Sequence, residues 1–203
     1  MQLKLANSWT NYPLNFHELT SEISETIYEK DSVSVNTLPL DHRVYTNGFL
    51  FTLRSSCRKI NSKAINGLNL KPFHFDQLKK GLSILLEDGT NIKNNELTFD
   101  PEKPKRYAYC SDTSYNRDLI PLIKQVDLLY HESTFLEKDI DLAEKTKHST
   151  AIQAAKIAKE AKVKKLILGH YSSRYIDKNI FFNEASTIFK DVDLSEDFKT
   201  FLV

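Results

Sequence analysis

Between residues 106 and 170 the chain alternates short apolar or β-branched runs with helical patterns, an order that few folds accommodate. RYAYCSD (106–112), DLLYHES (127–133) and KKLILGH (164–170) read as strands. NRDLIPLIKQV (116–126) and STAIQAAKIAKEAKV (149–163) lie between them and read as helical. In the longer helix Thr150 and Gln153 make a capping-box pattern, and Ile152, Ala155 and Ala158 are expected to share the buried side. Pro121 fits only near the start of its helix or at a break. NIFFNEASTIF (179–189) adds a last amphipathic helix. Upstream, VSVNTL (33–38) and GFLFTL (48–53) predict two more strands, and ILLEDGT (84–90) a strand running into an Asp-Gly turn. The pattern predicts an α/β layer, with residues 1–203 as a single domain. Residues 58–81 mix Lys, Arg, Asn and Pro with weak periodicity, and are expected to form a protruding or loosely packed excursion.

Charge and cysteine content narrow the function classes. The 28 basic and 27 acidic residues leave a net charge of +1, unlike a protein that coats nucleic acid non-specifically. Basic residues are nevertheless grouped in RSSCRKINSK (54–63) and KPKR (103–106), for which solvated surface charge is the plain reading. Apolar runs such as LIL (166–168) are far too short to cross a bilayer, and MQLKLANSWT lacks the apolar core of a secretion signal. Two cysteines, Cys57 and Cys110, make neither a disulfide framework nor a cysteine-type zinc site, so a reducing cytoplasm is the expected location.

Three metal-capable side chains stand just beyond apolar strands: His42 in PLDHR, Asp112 in YCSDT and His170 in LILGHYS. Two imidazoles and a carboxylate suit zinc or manganese, and strand ends in α/β sheets are where sites collect. Each has a plain alternative: Asp112 as a turn cap, His42 as a loop histidine, His170 as a satisfied strand-edge histidine. His131 and Glu132 leave a strand together in LLYHEST. His148 precedes the strong helix, where free N–H groups favour an anion and an imidazole could shuttle a proton. Its alternative is an ordinary flanking residue. His17 and His74 lack such contexts and read as structural or surface residues.

Taken in order, PLDHRVYTNGFLF, YCSDT, LLYHEST, KHSTAIQAAKIAKEA and LILGHYSSRY resemble the ribonuclease Z family over essentially the whole chain. These are tRNA 3′-processing endonucleases of the metallo-β-lactamase fold, an αβ/βα sandwich. The HEST and HST pair distinguishes them from other hydrolases of that fold. The resemblance implies two zinc ions, or manganese, with His42 a ligand of one metal, Asp112 the bridging carboxylate and His170 a ligand of the second. It implies that His148, supported by Glu132, protonates the leaving ribose oxygen, and that His131 helps to orient the pair. Arg174 in SSRY becomes a candidate phosphate contact, with an ion pair inside the fold as the alternative. The basic arm of the family would fall within about 58–81, so Arg58 and Lys59 become candidates for gripping precursor tRNA. A homodimer is also implied.

The family signature HxHxDH does not occur in the chain. In the family it lies upstream of the motifs present here, so the resemblance implies the C-terminal part of a longer, N-terminally truncated domain. Three ligands shared between two metals leave each with about two, where zinc wants three or four. The expectation is weak or no metal binding at neutral pH and no phosphodiester cleavage by this chain alone. Two alternatives stand beside this one: another phosphodiesterase of the same fold, and a non-catalytic half-domain acting through a partner.

Overall fold

A computed structural model describes residues 12–54 and 57–203, so the expectation for the opening segment lies, over residues 1–11, outside the described residues. Strands β1 (Thr26–Lys30), β2 (Val33–Leu40), β3 (Thr46–Leu53), β8 (Lys105–Cys110), β9 (Leu128–Glu132), β10 (Lys165–Gly169) and β11 (Val192–Leu194) form one sheet in that spatial order. β1 to β8 pair antiparallel, and β8, β9, β10 and β11 pair parallel. Because β2 and β8 both run antiparallel to β3, the C-terminal ends of β2, β8, β9 and β10 share one edge.

Helices α3 (Leu119–Leu122), α5 (Ala151–Ala161) and α6 (Asn179–Ser186) pack on one face, over Leu38, Leu50, Ala108, Leu129, Leu166 and Leu168. The opposite face is aromatic: Phe51 stacks on Tyr107 at 5.8 Å and Tyr109 on Tyr130 at 4.9 Å between centroids. The parallel half of the sheet with helices beside it is the α/β layer that the alternating pattern predicts.

Helix α5 starts where the capping box places it. Thr150 Oγ1 accepts from the Gln153 N–H at 3.2 Å, and Gln153 Oε1 accepts from the Thr150 N–H at 2.9 Å. The buried stripe differs in part from expectation. Ala151, Ala154, Ala155, Ala158 and Ala161 are buried with Ile157, whereas Ile152 is half-buried. A row of methyl groups lets the helix lie close to the sheet. Thr150→Ala is expected to lower unfolding free energy by about 1–2 kcal/mol, checked by urea denaturation. That change removes the cap and also a hydrogen bond from Thr150 Oγ1 to Glu137.

The helix expected over 116–126 is reduced to α3. Pro121 lies in its first turn, where backbone N–H groups have no intrahelical acceptor in any case. The excursion is larger and better packed than its composition suggests. It runs through β4 (Lys59–Ile60), α1 (Pro72–Lys79), β5 (Ile84–Leu85), β6 (Asn91–Ile92), α2 (Asn94–Leu97) and β7 (Thr98–Phe99). Leu78, Ile84 and Leu97 form a small core of its own, lined by Ile60, Leu68 and Ile92. Asn94 ties this unit together by donating to the carbonyls of Leu78 and Leu82, and β5 turns into β6 at the expected Asp88-Gly89. Among the described residues no helix is long and apolar enough to cross a membrane.

Candidate metal and proton-transfer site

The shared edge of the sheet brings the separated motifs together. Asp112 lies two residues beyond β8, Glu132 ends β9, His170 follows β10 and His42 lies two residues beyond β2. His148 arrives from the far side, two residues before the cap of α5. Its ring lies 5.1 Å from that of His42 and 5.3 Å from that of His170, centroid to centroid. His170 Nε2 is 3.3 Å from Asp112 Oδ1.

Glu132 organises the cluster from below. Its carboxylate is fully buried and accepts five hydrogen bonds. Oε1 takes the Thr113 N–H at 2.9 Å and the His148 Nδ1–H at 2.7 Å. Oε2 takes the Thr134 hydroxyl at 2.7 Å and the N–H groups of Thr134 and Ser149 at 3.0 and 3.1 Å. Burial alone would raise this carboxyl, but the bonds from His148, Thr113 and Thr134 outweigh it and hold it below the usual carboxylate range. In return, the hydrogen bond to Glu132 raises His148 against its own desolvation.

Hydrogen bonding also sets the imidazoles. His42 Nδ1 lies 2.8 Å from the Lys147 carbonyl, which can only accept, so Nδ1 carries the proton and Nε2 keeps a free lone pair. Lys147 is held in turn by an ion pair to Asp41, both oxygens at 3.0 Å. Donor to Glu132 at Nδ1, His148 likewise keeps Nε2 free.

Two overlapping groups have ligand atoms within 4.8 Å of one another: His42, Asp112 and His148, and Glu132, His148 and His170. The second is the poorer cation site, because the Glu132 oxygens are already filled by donors. In the first, His42 has a bare Nε2 and Asp112 a half-exposed carboxylate; with His170 joined through Asp112 these three make a donor set that fits a divalent cation, and His148 Nε2 beside them stays available for a proton. The expected ligands His42, Asp112 and His170 therefore converge, and His148 stands among them rather than apart. Clefts of about 440 Å³ beside His42 and Arg43 and about 250 Å³ beside His148 and Lys147 lie next to the cluster.

His131 lies elsewhere. It is fully buried, its Nδ1 bonds to the Glu132 backbone carbonyl at 2.7 Å, and Nε2 has no partner among the described residues. Burial pushes this imidazole down, toward the neutral form. No hydrogen bond joins it to His148 or to the Glu132 carboxylate among the described residues. Arg174 makes no ion pair among the described residues; its guanidinium lies 5.3 Å over Phe135, which meets His148 edge-on at 6.2 Å. Arg58 and Lys59 belong to the inserted unit, paired with Asp100 and Glu102 respectively, and are not brought to the cluster. The Thr134 hydroxyl and the Lys147 carbonyl carry the geometry without having stood out in the sequence. The only sign of Thr134 was its place in HEST.

No family model matches the chain. Curated relatives do. A ribonuclease Z of Cytophaga hutchinsonii is 46% identical over 206 residues, covering all of this chain and 65% of the relative. One from Phocaeicola vulgatus is 40% identical over 187 residues, covering 92% of this chain and 60% of the relative. The chain thus spans under two thirds of the length of the relatives it matches. Among solved structures, the metallo-β-lactamase fold protein YhfI of Bacillus subtilis superposes with a TM-score of 0.54 at 18% identity, over 85% of this chain and 50% of its own. The short form of human tRNase Z gives 0.51 at 21%, over 88% and 46%. These likenesses establish the metallo-β-lactamase fold.

Proposed function

We propose that this chain, which belongs to the ribonuclease Z family, supplies the proton-transfer side and part of the metal site of an endoribonuclease that removes the 3′ trailer of precursor tRNA. The observation that carries the reading is the buried Glu132 bonded to His148, beside imidazoles and a carboxylate gathered at one sheet edge. His148 holds one proton at Nδ1 against Glu132, and the carboxylate strengthens its hold on a second at Nε2. That second proton is the one given to the leaving 3′-oxygen of the ribose. His42, Asp112 and His170 would hold the divalent ions, two zinc ions or manganese, which when bound would supply an activated water and neutralise charge on phosphorus. Arg174 would meet a phosphate beside the cluster, and the inserted unit with Arg58 and Lys59 would grip the tRNA farther away. His131 would act only through the backbone of Glu132. A cytoplasmic homodimer completes the proposal.

The chain lacks HxHxDH and alone is expected not to cleave. The test joins it to the part of the Cytophaga relative that it does not match. Precursor tRNA should then lose its 3′ trailer, and His148→Ala should reduce the rate by at least roughly 10²-fold. Cleavage of a small chromogenic diester with no cleavage of tRNA would instead favour another phosphodiesterase of the fold. Calorimetric titration with zinc and with manganese tests the cation site in the chain itself. Weak binding that disappears in Asp112→Ala is expected, and binding unchanged by that substitution would rule the site out.

A further inference from the structure

We propose that Thr134 is a positioning residue whose hydroxyl passes the polarity of Glu132 on to His170, holding the proton of that imidazole on Nδ1 and leaving Nε2 bare toward Asp112. This deepens the cation-site reading above and rests on it for its consequence, though not for its geometry. Thr134 Oγ1 has one proton, and three groups lie within reach: Glu132 Oε2 at 2.7 Å, His170 Nδ1 at 2.8 Å and His148 Nδ1 at 3.3 Å. The ionised carboxylate, already facing four other donors, can only accept, so the hydroxyl proton goes to it. His148 already donates its Nδ1–H to the closer Glu132 Oε1, a charge-assisted bond. The Thr134 oxygen is then an acceptor 2.8 Å from His170 Nδ1, which brings the proton; Nε2, 3.3 Å from Asp112 Oδ1, makes no hydrogen bond to it among the described residues.

The backbone supports the same arrangement. His170 has a φ of 59°, in the left-handed region where a side chain with a Cβ is strained. The loop that carries it is held in that turn by Ser172 N–H donating to the Thr134 carbonyl at 3.1 Å, and Ser133 N–H donates to the Gly169 carbonyl at 2.8 Å. Thr134 thus grips the His170 loop with both its carbonyl and its hydroxyl. One carboxylate sets two imidazoles, His148 directly and His170 through the threonine.

Long-range proton–nitrogen NMR of histidine-labelled protein, without added metal and above the imidazole titration range, reads the tautomer directly. Wild-type His170 should show a protonated Nδ1 and a bare Nε2, with its Hδ1 protected from exchange and close to the Thr134 side chain. Thr134→Ser should preserve that pattern. Thr134→Val should shift the tautomer ratio toward Nε2–H by about fivefold or more, the equilibrium worth of one net hydrogen bond. A wild-type proton on Nε2, an unprotected Hδ1, or an unchanged ratio in Thr134→Val would each overturn the assignment. The wild-type measurements decide it even if the valine variant does not fold. Zinc titration of the wild type judges the cation site separately, so the two can fail independently.

Discussion

Glu132→Ala is expected to lower the free energy of unfolding by about 3–5 kcal/mol, the cost of breaking a buried, hydrogen-bonded ion pair from one side. The carboxylate is fully buried, and its removal strands the N–H groups of Thr113, Thr134 and Ser149 as well as the His148 ring. Buried donors without acceptors cost about 1–3 kcal/mol each before relaxation, so the total is limited by how far the loops can open to water. Against a typical stability of about 5–15 kcal/mol, the variant would be marginal. Urea denaturation measures it, and a loss below about 1 kcal/mol would show that these loops do not depend on the carboxylate. Glu132→Gln keeps the shape but turns an amide NH2 against N–H donors, so an intermediate loss is expected.

The pair also leaves a signature in pH. The Glu132 carboxyl is lowered in the folded state from an ordinary value of 4.5, so its contribution is present above that value and lost as pH falls through the folded one. His148 is raised from 6.5, so its contribution is full below 6.5 and lost as pH rises through its folded value. Both describe one interaction, strongest between those limits. His131 acts with the opposite sign: lowered by burial, it costs stability as pH falls below 6.5. His131→Leu should therefore flatten the decline on the acid side of 6.5, visible in thermal melts across pH.

What could be read in the sequence was whatever depends on near neighbours in the chain. The Thr150–Gln153 cap, the Asp88-Gly89 turn and the central strands are local patterns, and they fold as they read. The convergence of His42, Asp112 and His170 was legible only through the order of motifs, since it depends on β2, β8 and β10 ending at one edge. The packing of the inserted unit is not legible because its core is assembled from single residues such as Leu78, Ile84 and Leu97, widely spaced and with no sustained period. β1 and β11 gave no signal either: β1 is exposed along its length, and β11 has three residues. Thr134 could not be singled out because its importance lies in three distances, none of them local in the chain except that to Glu132.

Gly48→Ala should cost about 3 kcal/mol or more, above the usual range for an added methyl group, because what the methyl meets cannot rotate away. A Cβ at this position in β3 would lie 2.3 Å from the Tyr109 carbonyl oxygen and 3.3 Å from the Cys110 Cα, both backbone of β8. Relief requires β3 and β8 to separate, and β8 leads directly to Asp112. The variant should thus lose metal affinity along with stability. Gly169→Ala is the instructive contrast. There the Cβ would lie 2.2 Å from the Tyr130 hydroxyl oxygen and 2.5 Å from two ring carbons, all in one side chain on the aromatic face. Removing that ring makes room, so Gly169→Ala in a Tyr130→Ala background should cost less than in the wild type by about 1–2 kcal/mol. For Gly48 no side-chain truncation can do the same, because its obstacle is a carbonyl. A Gly48→Ala protein within about 1 kcal/mol of wild type in urea would mean that β3 and β8 yield at that point. The rigid seam that aims Asp112 at the imidazoles would then be absent.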